Sequence, residues 1–164
     1  MGLLKGLDGQ WAILGMIVFN YTVIWLNIYP WRSKEPLKLT KNLRSNMYIF
    51  QRATEKSGEG AGIVLNQDGD AGSYNRGNRS IQHLIENVLP IFLALPSLFY
   101  IYPLATFVIF SAFCLARILH QRGYATFGYG KSLVTGHVPG FMLHQLTSFI
   151  VLGMLTVTYV NMVI

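Results

Sequence analysis

The sequence predicts an all-α integral membrane protein, a bundle of four transmembrane helices. Hydrophobic residues make up 52% of the 164 residues and charged residues only 12%, a balance too apolar for a soluble domain of this size. Fourteen of the twenty Asp, Glu, Lys and Arg residues fall within residues 31–79, whereas residues 87–116 and 132–164 contain none. This distribution indicates apolar spans and one polar segment.

The spans follow from the length of the apolar runs. A hydrocarbon core requires roughly 20 apolar residues per helix. Four runs satisfy this requirement and predict one transmembrane domain over the whole chain, with spans at about 11–29, 81–100, 104–119 and 138–162. The second and third spans are separated only by Tyr-Ile-Tyr-Pro, which predicts a helical hairpin.

The basic residues predict the orientation. The first loop, residues 30–79, contains nine of them, the third loop contains Arg122 and Lys131, and the second loop has none. By the positive-inside rule both basic loops face the cytoplasm or a mitochondrial matrix, and both termini face the other side. We expect no signal or transit peptide at the N-terminus. The net charge of +6 is therefore explained by topology and contact with the lipid bilayer, and nucleic acid is not an expected partner.

The second half of the first loop, residues 53–77, is rich in Gly, Asn, Asp and Ser and lacks apolar periodicity. This composition predicts disorder or a series of turns, including a turn at Asn66, Asp68 and Asp70. Contact with another membrane subunit is one way in which such a segment becomes ordered.

Polar side chains within the second and third spans indicate a site, because ionisable groups are costly in a bilayer unless they face a cavity or a partner. Spacings of 4, 3 and 4 place one stripe on a single face of the second helix: Arg79, His83, Glu86 and Pro90. Spacings of 3 and 4 place a second stripe on the third helix: Arg117, His120 and Tyr124. The two stripes lie at one depth, where they could bind a small anionic ligand that also meets apolar surface.

Simpler roles exist for several of these residues. Arg79 could be an interface anchor, and His83 and His120 could be ordinary interhelical hydrogen-bonding groups. Glu86 lies about two turns into the span, so we expect it to pair with Arg79 or Arg117. No metal site is predicted, because His137 lies in a loop, His144 lies alone on an apolar face, and the single cysteine, Cys114, has apolar neighbours.

Two segments resemble motifs of the MAPEG superfamily, the membrane-associated proteins in eicosanoid and glutathione metabolism. Residues 79–90, RSIQHLIENVLP, resemble the family's second-helix motif, and residues 116–124, ARILHQRGY, resemble its third-helix motif. Both motifs occur in order within a matching four-helix topology. The family includes microsomal glutathione transferases and the leukotriene and prostaglandin E synthases.

The resemblance implies a homotrimer that holds glutathione, as a co-substrate, between neighbouring subunits. It implies that Arg79 and Arg117 hold carboxylates or structure the site, that Glu86 is the family's acid, and that Tyr124 is a catalytic or binding tyrosine. It further implies that Lys131 stabilises the thiolate, where several members have arginine. The other implied glutathione-binding positions differ from the family's common residues: His83, Asn87 and His120.

Three function classes remain open. The first is a glutathione-dependent transferase or peroxidase acting on lipophilic electrophiles in the endoplasmic reticulum (microsomal) membrane. The second is a non-catalytic accessory subunit of a larger complex, for example in the mitochondrial inner membrane, assembled through residues 53–77. The third is an adaptor that presents a lipid to a partner. The altered site positions favour assembly, whereas the retained Arg79, Glu86, Arg117 and Tyr124 favour a surviving ligand pocket.

Overall fold

A computed structural model describes residues 9–37, 47–52, 62–128 and 137–164. Four long helices dominate it, in chain order α1 (Gly9–Ser33), α2 (Gly69–Ile101), α3 (Pro103–Phe127) and α4 (Val138–Val163). A 3-10 turn, Glu35–Leu37, follows α1, and strands β1 (Phe50–Arg52) and β2 (Ile63–Leu65) form an antiparallel hairpin before α2. All four helices are long and apolar enough to cross a membrane, which confirms the predicted fold class.

Helix α3 is the centre of the bundle and packs against each of the other three helices. The main core joins α1, α2 and α3 through these buried residues: Leu26, Leu84, Ile91, Leu95, Phe110, Phe113 and Cys114. Large apolar side chains point outward along the spans; Leu93 is 73% exposed and Phe149 68% exposed. These outward faces are suited to lipid, so the protein is an integral membrane protein.

The turn between α2 and α3 has the predicted position. The backbone N–H of Tyr102 donates to the Leu98 carbonyl (2.7 Å), and α3 begins with Pro103 at its first position. Proline is favoured there because the first helical N–H needs no intrahelical acceptor. The Thr106 hydroxyl also donates to the Leu98 carbonyl (3.0 Å), which closes the helical hairpin.

Helix α2 begins at Gly69, twelve residues before its expected start near residue 81. Its 33 residues correspond to about 50 Å, whereas a hydrocarbon core is about 30 Å thick. The first turns of α2 therefore extend beyond the bilayer core. Helix α3 likewise continues to Phe127 rather than ending near residue 119.

The expectation of disorder or turns in residues 53–77 is wrong for the part that the structure describes. Asn66 does accept a hydrogen bond from the Asp68 backbone N–H (2.9 Å), as expected of a turn, but β2 precedes that turn and α2 follows it. Gly72 allows this tight entry to the helix, because a Cβ there would lie 2.1 Å from the Gln67 carbonyl oxygen. Residues 53–61 lie outside the described residues.

Buried amides on α2 hold the hairpin in place. The Asn75 side chain is fully buried, accepts from the Ile49 backbone N–H (2.8 Å) and donates to the carbonyls of Ile49 (2.7 Å) and Asn66 (2.8 Å). Asn78 donates to the Met47 carbonyl (2.8 Å). The backbone on both sides of Tyr48 is thus fixed to the first turns of α2.

Candidate functional site

A cavity of about 350 Å³ lies at the end of the bundle where α2 and α4 begin and α3 ends. It is lined by Arg79, His83, His120, Tyr124, His137 and Phe141. The two polar stripes predicted on α2 and α3 thus contribute two residues each to one cavity wall. The start of α4 contributes the other two, which pattern reasoning did not select.

Arg79 and Glu86 form an ion pair on α2, with Arg79 Nη1 3.0 Å from Glu86 Oε1. The two residues lie two turns apart on the helix, so their side chains reach toward each other along its face. Both are partly open in the single subunit, with exposed side-chain fractions of 49% and 42%. The expected partner of Glu86 is therefore Arg79, not Arg117, and both charges remain accessible.

Arg117 is not at the cavity wall. Its side chain is fully buried; Nη2 donates to the Ser80 carbonyl (2.7 Å), and Nη1 is 2.9 Å from His83 Nδ1. It therefore joins α3 to α2 directly behind the cavity. Asn87 also lies outside this cavity and donates to the His83 carbonyl (2.7 Å).

The imidazole rings of all four histidines in the chain meet near this cavity. His83 and His120 stack with ring centroids 5.5 Å apart, and His137 lies edge-on to His120 at 6.0 Å. His144 was expected to lie alone on an apolar face. Its ring centroid is instead 5.7 Å from that of His83, and the residue is only 2% exposed. Among the described residues, however, no group of His, Cys, Asp or Glu could hold a metal ion.

The close approach of α4 to α3 produces this convergence. Gly140 packs so closely that a Cβ there would lie 2.2 Å from the His120 backbone nitrogen. Because glycine has no side chain, the start of α4 lies directly on α3 beside His120. His137 and Phe141, on either side of Gly140, are thereby placed at the cavity.

Tyr124 lies one turn beyond His120 on α3, and its ring packs against those of His120 and His137, each at 5.7 Å. This geometry places the predicted tyrosine in the cavity wall. Lys131, the predicted thiolate-stabilising residue, lies outside the described residues.

Tyr48, from the segment before β1, is a further member of this neighbourhood. Burial raises the pKa of its phenol above the usual 10.0, and the positive charge of Arg79 opposes that shift. Its electrostatic neighbours also include Glu86 and Tyr124, so Tyr48 lies close to the cavity. No local pattern marks Tyr48, because its position depends on the Asn75 and Asn78 hydrogen bonds to the residues beside it.

A second hollow, of about 290 Å³, lies between α2 and α4. One part of its wall is polar, with Asn87, His144, Gln145 and Ser148, and the rest is apolar: Pro90, Ile91, Phe149, Val151, Leu152 and Leu155. His144 belongs to this groove and also contacts His83 of the first cavity. The two hollows are therefore neighbours, separated by imidazole rings.

These features define a four-helix integral membrane protein with a cationic, imidazole-lined cavity at one end and an apolar groove beside it. The chain belongs to the MAPEG family, whose sequence model matches residues 11–157. No curated protein and no solved structure gives a significant match. Members of this family generally use glutathione, are related to membrane glutathione transferases and are often trimers.

Proposed function

We propose that the chain is a glutathione-dependent transferase or peroxidase of the microsomal membrane that acts on lipophilic electrophiles. The observation that carries this proposal is that one cavity contains four of the predicted site residues in its wall: Arg79, His83, His120 and Tyr124. Its volume of about 350 Å³ falls within the range of roughly 300–1,000 Å³ typical of small-molecule sites.

Glutathione has two carboxylates, one ammonium group and a thiol, so its site needs accessible charges of both signs. Arg79 can bind a carboxylate and Glu86 the ammonium group. Because both side chains are about half exposed in the subunit, a neighbouring subunit has room to complete the site. This supports a homotrimer with glutathione held at the interface between subunits.

The groove between α2 and α4 is suited to the second substrate. Its apolar wall fits an acyl or aromatic chain from the bilayer, while its polar residues lie beside His144. Because the His144 ring contacts the His83 ring, the groove meets the cavity at these two imidazoles, and an electrophile at that end of the groove would be the one that approaches a thiol in the cavity.

The proposed chemistry is thiolate attack on that electrophile. In the transferase reaction a sulfur–carbon bond forms, the bond from that carbon to its leaving group breaks, and the leaving group departs with the electron pair. In the peroxidase reaction the thiolate attacks the terminal oxygen of a hydroperoxide; an S–O bond forms and the O–O bond breaks, which gives a sulfenic acid and an alkoxide, and the alkoxide takes a proton and leaves as alcohol. A second glutathione then displaces water from the sulfenic acid and yields the disulfide. Most of the rate would come from positioning and from favouring the thiolate.

The test is glutathione binding by the purified protein in detergent, measured by calorimetry and by ultraviolet thiolate absorbance. Arg79→Met should weaken glutathione binding, whereas Lys131→Met should leave binding unchanged and remove the thiolate absorbance. The reason is that Arg79 would face a carboxylate, which is always charged, and Lys131 would face the negative charge that develops on the sulfur. Arg122→Met is the matched control, since Arg122 is exposed on α3 away from the cavity. Absence of binding at millimolar glutathione would exclude the proposal.

The hairpin supports a second candidate, a non-catalytic subunit of a larger membrane complex, for example in the mitochondrial inner membrane. Phe50 is 59% exposed, Ile63 is 77% exposed, and the register places both on one face with Arg52. Apolar side chains exposed beside the helices fit contact with another subunit.

Deleting residues 53–77 would not test this second candidate, because the deletion would remove the start of α2. Replacing residues 53–62 by Asn-Gly is cleaner, since Arg52 and Ile63 are paired and a two-residue turn can join them. Together with Phe50→Ser, this change should remove partner subunits from the purified complex if the chain is an assembly subunit. A transferase should keep its glutathione turnover.

A further inference from the structure

The contact between Arg117 and His83 determines which ring nitrogen of His83 carries the proton. Arginine has only donors and stays protonated in proteins, so the 2.9 Å contact requires His83 Nδ1 to accept. If Nδ1 carried a proton, two hydrogen-bond donors, Arg117 Nη1 and His83 Nδ1, would face each other. His83 is therefore neutral, with its proton on Nε2.

The surroundings hold Arg117 and both rings in this arrangement. Arg117 is fully buried, and its second terminal nitrogen donates to the Ser80 carbonyl (2.7 Å). The Ser80 hydroxyl lies 3.2 Å from His120 Nδ1, and the His120 ring stacks on His83. Rotation of either ring would break its hydrogen bond or this stacking contact, so these neighbours fix the orientation of His83.

We infer that Arg117 is a positioning residue that holds His83 as an Nε2–H donor to the sulfur of the thiol peptide in the cavity. This inference rests on the proposed function. His83 lies one turn along α2 from Arg79 toward the bilayer centre, and its ring contacts that of His144 in the apolar groove. The carboxylates of the peptide therefore lie nearer Arg79, and its sulfur lies nearer His83, where the electrophile arrives.

The donor role gives His83 a specific chemical effect. A hydrogen bond to a charged acceptor contributes enough to change the thiol–thiolate equilibrium by about tenfold or more. A thioether sulfur carries no charge and accepts hydrogen bonds only weakly, so the same donor contributes little to the binding of an S-alkyl glutathione. His83 should therefore change the thiolate fraction of bound glutathione and leave the binding of an S-alkyl glutathione nearly unchanged.

The first experiment compares His83→Leu, which removes the donor, with His83→Gln, whose amide nitrogen can replace Nε2–H. His83→Leu should lower the ratio of thiolate to thiol in bound glutathione about tenfold, His83→Gln should restore much of it, and both should bind S-hexylglutathione within about twofold of the wild type. An unchanged thiolate fraction in His83→Leu would overturn the donor role. Equal loss of S-hexylglutathione binding would overturn the placement of His83 at the sulfur.

The second experiment needs no glutathione. Nitrogen-15 spectra of the histidine-labelled protein, with His83 assigned by its absence in His83→Gln, should show an unprotonated Nδ1 and a protonated Nε2. A protonated Nδ1 would overturn the role of Arg117. If wild-type protein binds no glutathione but shows this tautomer, the proposed function and the donor role fail while the positioning of His83 by Arg117 stands.

Discussion

Gly140 gives the sharpest test of how the cavity is built. A Cβ at this position would lie 2.2 Å from the His120 backbone nitrogen, 2.6 Å from its Cα and 2.8 Å from the Ala116 carbonyl oxygen. These are backbone atoms of α3, so no side chain can move aside and α4 itself must shift by about 1 Å to reach ordinary contact distance. Gly140→Ala should therefore cost about 1–3 kcal/mol, which lowers the melting temperature by roughly 2–12 °C for a chain of this size.

The control is Gly153→Ala on the same helix. An added Cβ there meets nothing within 4 Å, and alanine is the better helix former, so its melting temperature should equal or slightly exceed that of the wild type. Both variants are measured by thermal unfolding in one detergent, followed by glutathione titration. Gly140→Ala should also bind glutathione more weakly, because His137 and Phe141 move with α4. If Gly140→Ala melts no lower than Gly153→Ala, α4 does not approach α3 as described.

Three further predictions concern the ion pair and the hairpin. Glu86→Gln should change the stability of the subunit by only about 0–1 kcal/mol in thermal unfolding, because its pair with Arg79 is half exposed; a loss above about 3 kcal/mol would show that the pair is buried by assembly. Asn75→Ala should cost about 1–3 kcal/mol, since partly buried backbone groups of Ile49 lose their partner, and limited proteolysis should then cut near residue 50; a cleavage pattern like that of the wild type would contradict this. Because burial raises the pKa of the Tyr48 phenol, the folded state holds this proton more tightly than the unfolded state, and the fold loses stability as the pH rises above the unfolded value of 10.0. Tyr48→Phe should therefore retain more of its stability than wild type between neutral pH and strongly alkaline pH, and parallel pH profiles would contradict the burial of Tyr48.

The features that could be predicted from the sequence are those written in neighbouring residues. Apolar runs of span length predict the four helices, and the spacing of Arg79 and His83 predicts their common face. The same reasoning applied to α3 places His120 and Tyr124 together. Each of these predictions depends on periodicity within one helix, which local sequence records directly.

The features that could not be predicted depend on contacts between distant residues. No other histidine and no charged residue lies on α4, yet the His144 ring lies against His83 on α2 because Gly140 brings α4 close to α3. The start of α2 has poor helix formers, including Gly72 and Asn75, so its composition predicts a loop. Tertiary hydrogen bonds from Asn75 to the hairpin outweigh that local preference.

The attachment of the hairpin stem has a consequence for how this region can vary between related chains. Arg52 and Ile63 are the last paired residues before the tip of the hairpin, and the hydrogen bonds that fix Tyr48 lie on the stem side of this pair. Insertions or deletions between those two residues therefore leave the position of Tyr48 unchanged. The tip between Arg52 and Ile63 can therefore change in length or acquire a binding partner. An insertion or deletion of even one residue in the stem, between Tyr48 and Arg52 or between Ile63 and Asn75, would instead shift the phenol of Tyr48 relative to the cavity. The tip and the site can thus evolve independently within one continuous segment.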